Sequence, residues 1–308
     1  MSKVQPIVSV CLQTYQHKNY IKKCLDGILM QEVKGKIEVL VGEDESTDGT
    51  REICVEYAKR YPEEVKLSLL SRKNVIYISG RPSGRFNMLN NLSKAKGKFV
   101  ALCEGDDVWT NPHKLQKQID FLEKHSDYAM VFHKIVDQYA EKKVKRFDNL
   151  QKNRFATGDL LKRGIIPTST ILFRNGLVKN FPNWFKKVYV GDWPLTILLS
   201  LHGDAYYLDK DFALSHRDGS GVWSGSNKGF RLTGKYNMYG ILYKHLPMQY
   251  RPLISELQTG LIPAMALQSL NHRNLGEFTR LLLEFTRSPQ RSKIVYFKKL
   301  IGSKSSIS

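Results

Sequence analysis

Three carboxylates crowd into four residues, Glu104-Gly105-Asp106-Asp107, directly after the apolar run Phe99-Val100-Ala101-Leu102-Cys103. Such a run reads as a buried strand, so the acids stand at a strand end. Like charges this close raise one another's pKa unless a cation lies between them. A divalent metal is the simplest such cation, because it takes hard oxygen ligands and shares them with the phosphates of a substrate. The stretch therefore reads as the metal and nucleotide site of an enzyme. Thr14-Tyr15 and Glu43-Asp44 also follow apolar runs. The loop Gly80-Arg81-Pro82-Ser83-Gly84-Arg85 is basic and contains glycine. It suits a phosphate-facing position, since Arg forks onto two oxygens at once. Asp192, in Val190-Gly191-Asp192-Trp193-Pro194, falls where the N-cap of an apolar helix belongs.

The elements that must position these groups can be read from periodicity. Ile7 to Leu12 is a β-branched apolar run of the kind found in parallel strands buried on both faces. Ile21, Cys24, Leu25, Ile28 and Leu29 then recur at helical spacing, with Asn19 as the expected N-cap. Ile37 to Val41 is a second strand, Ile53, Tyr57 and Ala58 mark a second helix, and Val65 to Leu70 is a third strand. The alternation predicts an α/β fold, a doubly wound and mostly parallel sheet. Such sheets bind ligands beyond the carboxyl ends of their strands, where all three polar clusters would lie. Further strands are expected at Tyr128 to Phe132, Thr168 to Phe173 and Ala205 to Leu208, and the charged segment Tyr139 to Arg154 reads as a solvated excursion. Beyond residue 225 the composition changes: residues 226–308 hold 13 Lys+Arg against 3 Asp+Glu, with apolar periodicity that predicts helices. The expected organisation is a catalytic domain over 1–225 and a basic, mainly helical region over 226–308.

Composition bounds the function classes. With 42% hydrophobic and 25% charged residues, the chain has what a folded core requires. The excess of 48 Lys+Arg over 29 Asp+Glu, +19, points to anionic partners. Cys11, Cys24, Cys54 and Cys103 form no Cys-x-x-Cys pair, so neither a zinc site nor a disulfide framework is indicated. No signal-peptide core opens the sequence, and no stretch reaches the ~18 apolar residues of a spanning helix. The expectation is a cytoplasmic protein, in contact with the inner membrane face only peripherally.

The motifs occur together in an order that can be named. A first strand ending Thr14-Tyr15, a second leading into Glu43-Asp44-Glu45-Ser46-Thr47-Asp48-Gly49-Thr50, Ala95-Lys96-Gly97-Lys98-Phe99 before a strand, and then Gly105-Asp106-Asp107 resemble family 2 glycosyltransferases of the GT-A fold. The similarity runs over roughly residues 5 to 225. It implies an inverting transfer of sugar from a nucleotide-diphosphate donor, a UDP-sugar, to a hydroxyl of a glycan or lipid-linked acceptor. By the same resemblance Thr14, Tyr15 and the Glu43-Asp44 pair line the nucleotide pocket, with Asp44 accepting from the ring N–H of uracil. Arg85 contacts base or phosphate, Asp106 the ribose, and Asp107 ligates Mg²⁺ or Mn²⁺. Asp192 is the catalytic base, and either His216 or Arg217 faces the diphosphate or metal. The sequence departs from the family at Glu43 and Glu104, where Asp is commoner.

Rival readings follow from the same residues. A sugar nucleotidyltransferase also binds nucleotide and metal at a doubly wound sheet. It calls, however, for a glycine-rich loop after the first strand, where this chain has Gln13-Thr14-Tyr15-Gln16. A nucleic-acid binder accounts for the net charge but leaves the acids unexplained, so nucleic acid is not an expected partner. An anionic membrane surface is one, through the basic C-terminal region. Trp184, Trp193 and Trp223 offer stacking faces for sugar rings, although aromatic side chains more often pack in cores.

Overall fold

The computed structural model describes residues 5–147, 150–164, 166–178, 180–217, 226–271 and 274–287. The boundary expected at residue 225, Trp223 and the last stretch of the basic tail lie outside them. The chain divides into two compact units, Met1–Lys186 with Val190–Gly221, and Lys187–Tyr189 with Val222–Ser308.

The first unit opens with the expected alternation: β1 (Val8–Thr14), α1 (Ile21–Leu29), β2 (Ile37–Glu43), α2 (Thr50–Arg60) and β3 (Val65–Leu69). A short hairpin, β4 (Ile76–Ile78) and β5 (Arg81–Ser83), precedes α3 (Arg85–Lys94), β6 (Phe99–Glu104) and β7 (Asp107–Trp109). Then come α4 (Lys114–Lys124), β8 (Tyr128–Gln138), β9 (Lys143–Arg146), β10 (Arg154–Phe155) and α5 (Thr157–Lys162). The unit ends with β11 (Leu172–Arg174), α6 (Asp192–Ser200) and β12 (Asp204–His216). The second unit contains α7 (Lys228–His245), α8 (Arg251–Thr259), α9 (Ile262–Asn271) and α10 (Leu275–Arg287).

The main sheet runs β10-β12-β8-β11-β6-β1-β2-β3. Strands β6, β1, β2 and β3 are parallel, β11 is antiparallel to both β6 and β8, and β12 is parallel to β8. The sheet is thus mixed. β1, β2 and β6 are buried almost throughout, as their apolar runs require, and α1 and α4 close one face with Ile21, Leu25, Ile28, Leu115, Ile119 and Leu122 in one core.

Several local expectations change. The charged segment after Tyr139 is largely exposed, as expected, but part of it is a paired strand, since β9 lies against β8 from Ile135 to Gln138. The loop Gly80–Arg85 turns a hairpin and starts α3, with Ser79 at φ 51° and Gly80 at φ 76° supplying the turn. Thr168–Thr170 is a 3₁₀ turn ahead of the strand. The strand expected at Ala205 extends over thirteen residues, to His216. Tyr20 rather than Asn19 precedes α1, and Gly191 rather than Asp192 precedes α6.

One feature of the core has no counterpart in the sequence reading. Lys114, on α4, is fully buried; its Nζ donates to Gln118 Oε1 at 2.8 Å and lies 4.0 Å from the Trp109 ring centroid. Burial pushes its pKa down to about 7, with the Cys103 thiol nearby. Burial, reinforced by the Lys114 charge, also depresses His133 in β8, whose Nδ1 lies 2.6 Å from the Lys134 carbonyl. Between pH 7 and 10 the unfolded chain keeps this lysine protonated while the folded chain does not, so stability rises with pH across that window. Lys114→Met is expected to raise the melting temperature at pH 7 and to flatten its increase toward pH 10; calorimetry at the two pH values checks this.

Candidate functional site

The carboxyl ends of three neighbouring strands set the site. Gln13 is in register with Glu104 across β1 and β6, and Thr14 with Glu43 across β1 and β2. The acidic cluster, the Thr14-Tyr15 step and the Glu43-Asp44 pair therefore emerge side by side. Between Glu104, the last residue of β6, and Asp107, the first of β7, the chain leaves β1 and crosses to pair with β12. Gly105 fits this crossing because a Cβ there would stand 2.5 Å from Thr14 Oγ1 and 2.6 Å from His17 Nδ1.

At the crossing Glu104, Asp106 and Asp107 can each direct an oxygen so that all lie within 4.8 Å of one another. Asp107 is buried, Asp106 half-buried and Glu104 exposed. Burial, reinforced by the Asp106 charge, pushes Asp107 up to about 6, with the Ser169 and Ser215 hydroxyls and Arg217 opposing the rise. Glu104 is also raised, by its surroundings and by the charges of Asp106, Asp107 and Asp192. Three hard oxygen donors converging without a lysine among them fit a divalent cation such as Mg²⁺ or Mn²⁺. His216 stands beside the cluster: its Nδ1 is 2.8 Å from the Asp106 carbonyl, and its ring packs on Tyr20 with centroids 4.7 Å apart. A carbonyl can only accept, so the Nδ1 N–H is the donor in this bond.

A second corner of the rim is built around an arginine absent from the sequence expectations. Arg72, in the 3₁₀ turn that follows β3, places its guanidinium 4.0 Å from the centroid of the Tyr15 ring. Its Nη1 is 3.5 Å from Asp44 Oδ2. Asp44 Oδ1 is buried and has no hydrogen-bond partner among the described residues; burial raises its carboxyl, opposed by Arg72. Glu43 behaves differently. Its Oε1 accepts from Ser46 N–H at 2.7 Å and its Oε2 from Arg51 Nε at 2.5 Å, so the side chain is turned into the fold. The Glu43-Asp44 pair thus divides into a structural anchor and a carboxylate with an oxygen to spare. Thr14 is buried, its Oγ1 3.2 Å from His17 Nδ1.

On the opposite flank Asp192 is the first residue of α6, and its Oδ1 accepts from Trp193 N–H at 2.8 Å. Burial raises its carboxyl, while that N–H and the Arg85 charge act the other way. Arg85 is itself buried, hydrogen-bonded through Nη1 to the Phe185 carbonyl and lying over the Phe185 ring. Gly191 leaves room for it, since a Cβ there would be 3.0 Å from Arg85 Nε. Burial lowers Arg85 to about 10, so it stays charged at neutral pH. The arginine expected at base or phosphate is thus placed beside Asp192. Trp184 and Trp193 are core residues, and Trp193 Nε1 donates to the Leu160 carbonyl at 2.6 Å.

Sequence reasoning missed Arg72, Asp137 and Arg146. The signal for Arg72 was its place after the third strand, on the same rim as the other clusters. Asp137 and Arg146 fell at the edge of, and within, a segment whose charge suggested solvent.

Comparison with known proteins bears on this geometry. The model of the family described as Glycosyl transferase family 2 matches residues 9–180. An uncharacterized Mycobacterium tuberculosis protein, Rv1520, is 32% identical over 218 residues, which is 70% of this chain and 60% of that protein. The chain thus matches less than two thirds of that relative's length. The putative glycosyltransferase EpsE of Bacillus subtilis is 34% identical over 128 residues, 41% of this chain and 42% of its own. Among solved structures, S. aureus TarS 1-349 in complex with UDP-GlcNAc superposes with a TM-score of 0.67 at 18% identity, covering 95% of this chain and 84% of that one. The mannosyltransferase PcManGT from Pyrobaculum calidifontis, in complex with GDP-Man and Mn²⁺, gives 0.59 at 17% identity over 99% and 82%. At these identities the two structures speak to the fold alone.

A cation at Glu104, Asp106 and Asp107 must compete with protons once the pH falls below the Asp107 value of about 6. Mn²⁺ is expected to raise the melting temperature clearly at pH 7.5 and much less at pH 5.5. Equal shifts in calorimetry at the two pH values would take these carboxylates out of the cation site.

Proposed function

The chain belongs to glycosyl transferase family 2, and from that premise we propose that it transfers a sugar from a nucleotide-diphosphate donor to an acceptor hydroxyl in a single displacement with inversion. The observation that supports this reading is the gathering at strand ends of the Tyr15–Arg72–Asp44 corner and the acidic cluster of Glu104, Asp106 and Asp107, with the half-buried carboxylate of Asp192 acting on that cluster. The Asp192 and Glu104 carboxylates are close enough for the one to raise the other.

In this reading the base stacks in the Tyr15–Arg72 corner, and Asp44 Oδ1 accepts its ring N–H. That acceptor matches uracil, which favours a UDP-sugar. Thr14 lines the pocket and Asp106 meets the ribose. Glu104 and Asp107, with Asp106 beside them in the same cluster, would hold Mg²⁺ or Mn²⁺, and His216 or Arg217 would reach the diphosphate. Such a metal, when bound, neutralises the charge that gathers on the departing diphosphate. Asp192 takes the proton of the attacking hydroxyl, and its raised pKa brings it closer to the value a base needs at neutral pH. Arg85 keeps the Asp192 carboxylate oriented and charged.

Bacillus subtilis relatives carry the names of a putative teichuronic acid biosynthesis glycosyltransferase and a minor teichoic acid biosynthesis protein, so we take the acceptor to be a glycan or lipid-linked glycan of an envelope polysaccharide. Among the described residues no helix is long and apolar enough to cross a membrane. Leu267 and Leu270 of α9 and Leu275, Leu282 and Leu283 of α10 are exposed. Together with the basic excess of residues 226–308, they support peripheral contact with an anionic membrane.

Asp192→Asn tests the assignment. With a UDP-sugar panel and Mn²⁺, turnover is expected to fall about a hundredfold to ten-thousandfold, while UDP affinity by calorimetric titration stays near that of the wild type. Undiminished turnover would remove Asp192 from the role of base.

A further inference from the structure

Asp137 lies one residue before the end of β8 and is 5% exposed, yet it takes three charge-assisted hydrogen bonds from two arginines. Arg146 Nε donates to Oδ2 at 2.7 Å and Arg146 Nη2 to Oδ1 at 2.6 Å, a bidentate fork. Arg217 Nε donates to the same Oδ1 at 2.9 Å. Arg146 closes β9, Arg217 directly follows β12, and both strands flank β8. One buried carboxylate therefore ties together the ends of three strands on the rim that carries the candidate site.

The two cations face different halves of that site. The Arg217 charge acts on Glu104 and Asp107, and the Arg146 charge acts on Asp192. The anchor is dry and the cations are wet: the Asp137 side chain is 7% exposed, those of Arg146 and Arg217 34% and 30%. Among the described residues Arg217 spends only its Nε on Asp137. Its two Nη groups form the edge that can grip phosphate oxygens. An unanchored arginine would lose rotamer freedom on each binding event, whereas one already held by Asp137 would not.

We propose that Asp137 is a positioning residue that preorganises Arg217 for the donor diphosphate and Arg146 for the Asp192 flank. The inference rests on the nucleotide-diphosphate reading given above and adds to it the residue that sets the arginines' geometry. Asp137 itself touches no substrate.

The test is calorimetric titration of the full chain with UDP and with uridine, each with Mn²⁺, in wild type, D137N, R217Q and the double variant. D137N is expected to bind UDP about tenfold or more weakly and uridine with near wild-type affinity, because only UDP carries the diphosphate. In the double variant the UDP affinity is expected to match that of R217Q, since the two residues act as one unit. Equal losses on UDP and uridine, or additive losses in the double variant, would overturn the proposal and leave Asp137 a purely structural ion pair. Should D137N fail to fold, Asp137→Glu keeps the charge, shifts it by one methylene and is judged by the same two comparisons. If the wild type binds UDP no better than uridine, the nucleotide-diphosphate reading fails first and the role of Asp137 falls with it.

Discussion

Mutual repulsion among Glu104, Asp106 and Asp107 is the constraint around which the first unit is arranged. Three carboxylates whose oxygens can come within 4.8 Å of one another are unfavourable when all are ionised, and burial of Asp107 adds to the cost. The protein meets that cost only in part. The Arg217 charge, the Ser169 and Ser215 hydroxyls and the Asp106 carbonyl–His216 bond all surround the cluster, yet Asp107 remains raised. An arrangement that satisfied the acids fully, with a lysine in their midst, would be more stable and would leave no place for a cation. Residual repulsion of this kind is what a binding site retains at the expense of the fold.

The same logic separates Glu43 from Asp44. These adjacent carboxylates at the end of β2 differ in what they face. Both Glu43 oxygens are taken, by Arg51 and by the Ser46 N–H, and that fixes the loop carrying Asp44. Asp44 is left with one oxygen near Arg72 and one buried oxygen without a partner among the described residues. A buried acceptor without a donor is costly. Here it lies beside an arginine stacked on a half-open tyrosine ring, so a planar group with an N–H on its edge would satisfy both features at once.

Much of this was legible in the sequence, and the limits have physical causes. The runs that form β1, β2 and β6 are apolar because those strands are covered on both faces, and the acids stand out because they interrupt such runs. Both signals are local. Arg72 escaped because a lone arginine in a polar turn carries no local signal; its role comes from a ring fifty-seven residues earlier in the chain. The segment after Tyr139 is exposed as its dense charges suggest, yet β9 shows that such a strand can pair at an edge and direct its arginine to Asp137, which charge density alone does not reveal. Lys114 is the opposite case. Its neighbours on α4 gave the helical period correctly, but nothing in the period shows that an ammonium is placed over Trp109 rather than in water.

The departure from a wholly parallel sheet is what gives the site its shape. β11 spans only Leu172–Arg174, and it pairs with β6 at Phe99 to Ala101 and with β8 at Met130 and Val131. Beyond that point β6 continues to Glu104 and β8 to Gln138, and the 3₁₀ turn Thr168–Thr170 takes the place of a strand, packed against both. β7 crosses from the end of β6 to pair with β12 from Ala213 to Ser215, and the Trp109 indole N–H donates to the Ser169 carbonyl at 2.9 Å. A longer β11 would have drawn this turn into ladder hydrogen bonds. Because the strand stops short, the Ser169 hydroxyl acts on Asp107 together with the Ser215 hydroxyl and Arg217. The acids at the end of β6 are thus opposed by groups from the turn and from the end of β12, and the three-residue length of β11 is what lets the turn contribute.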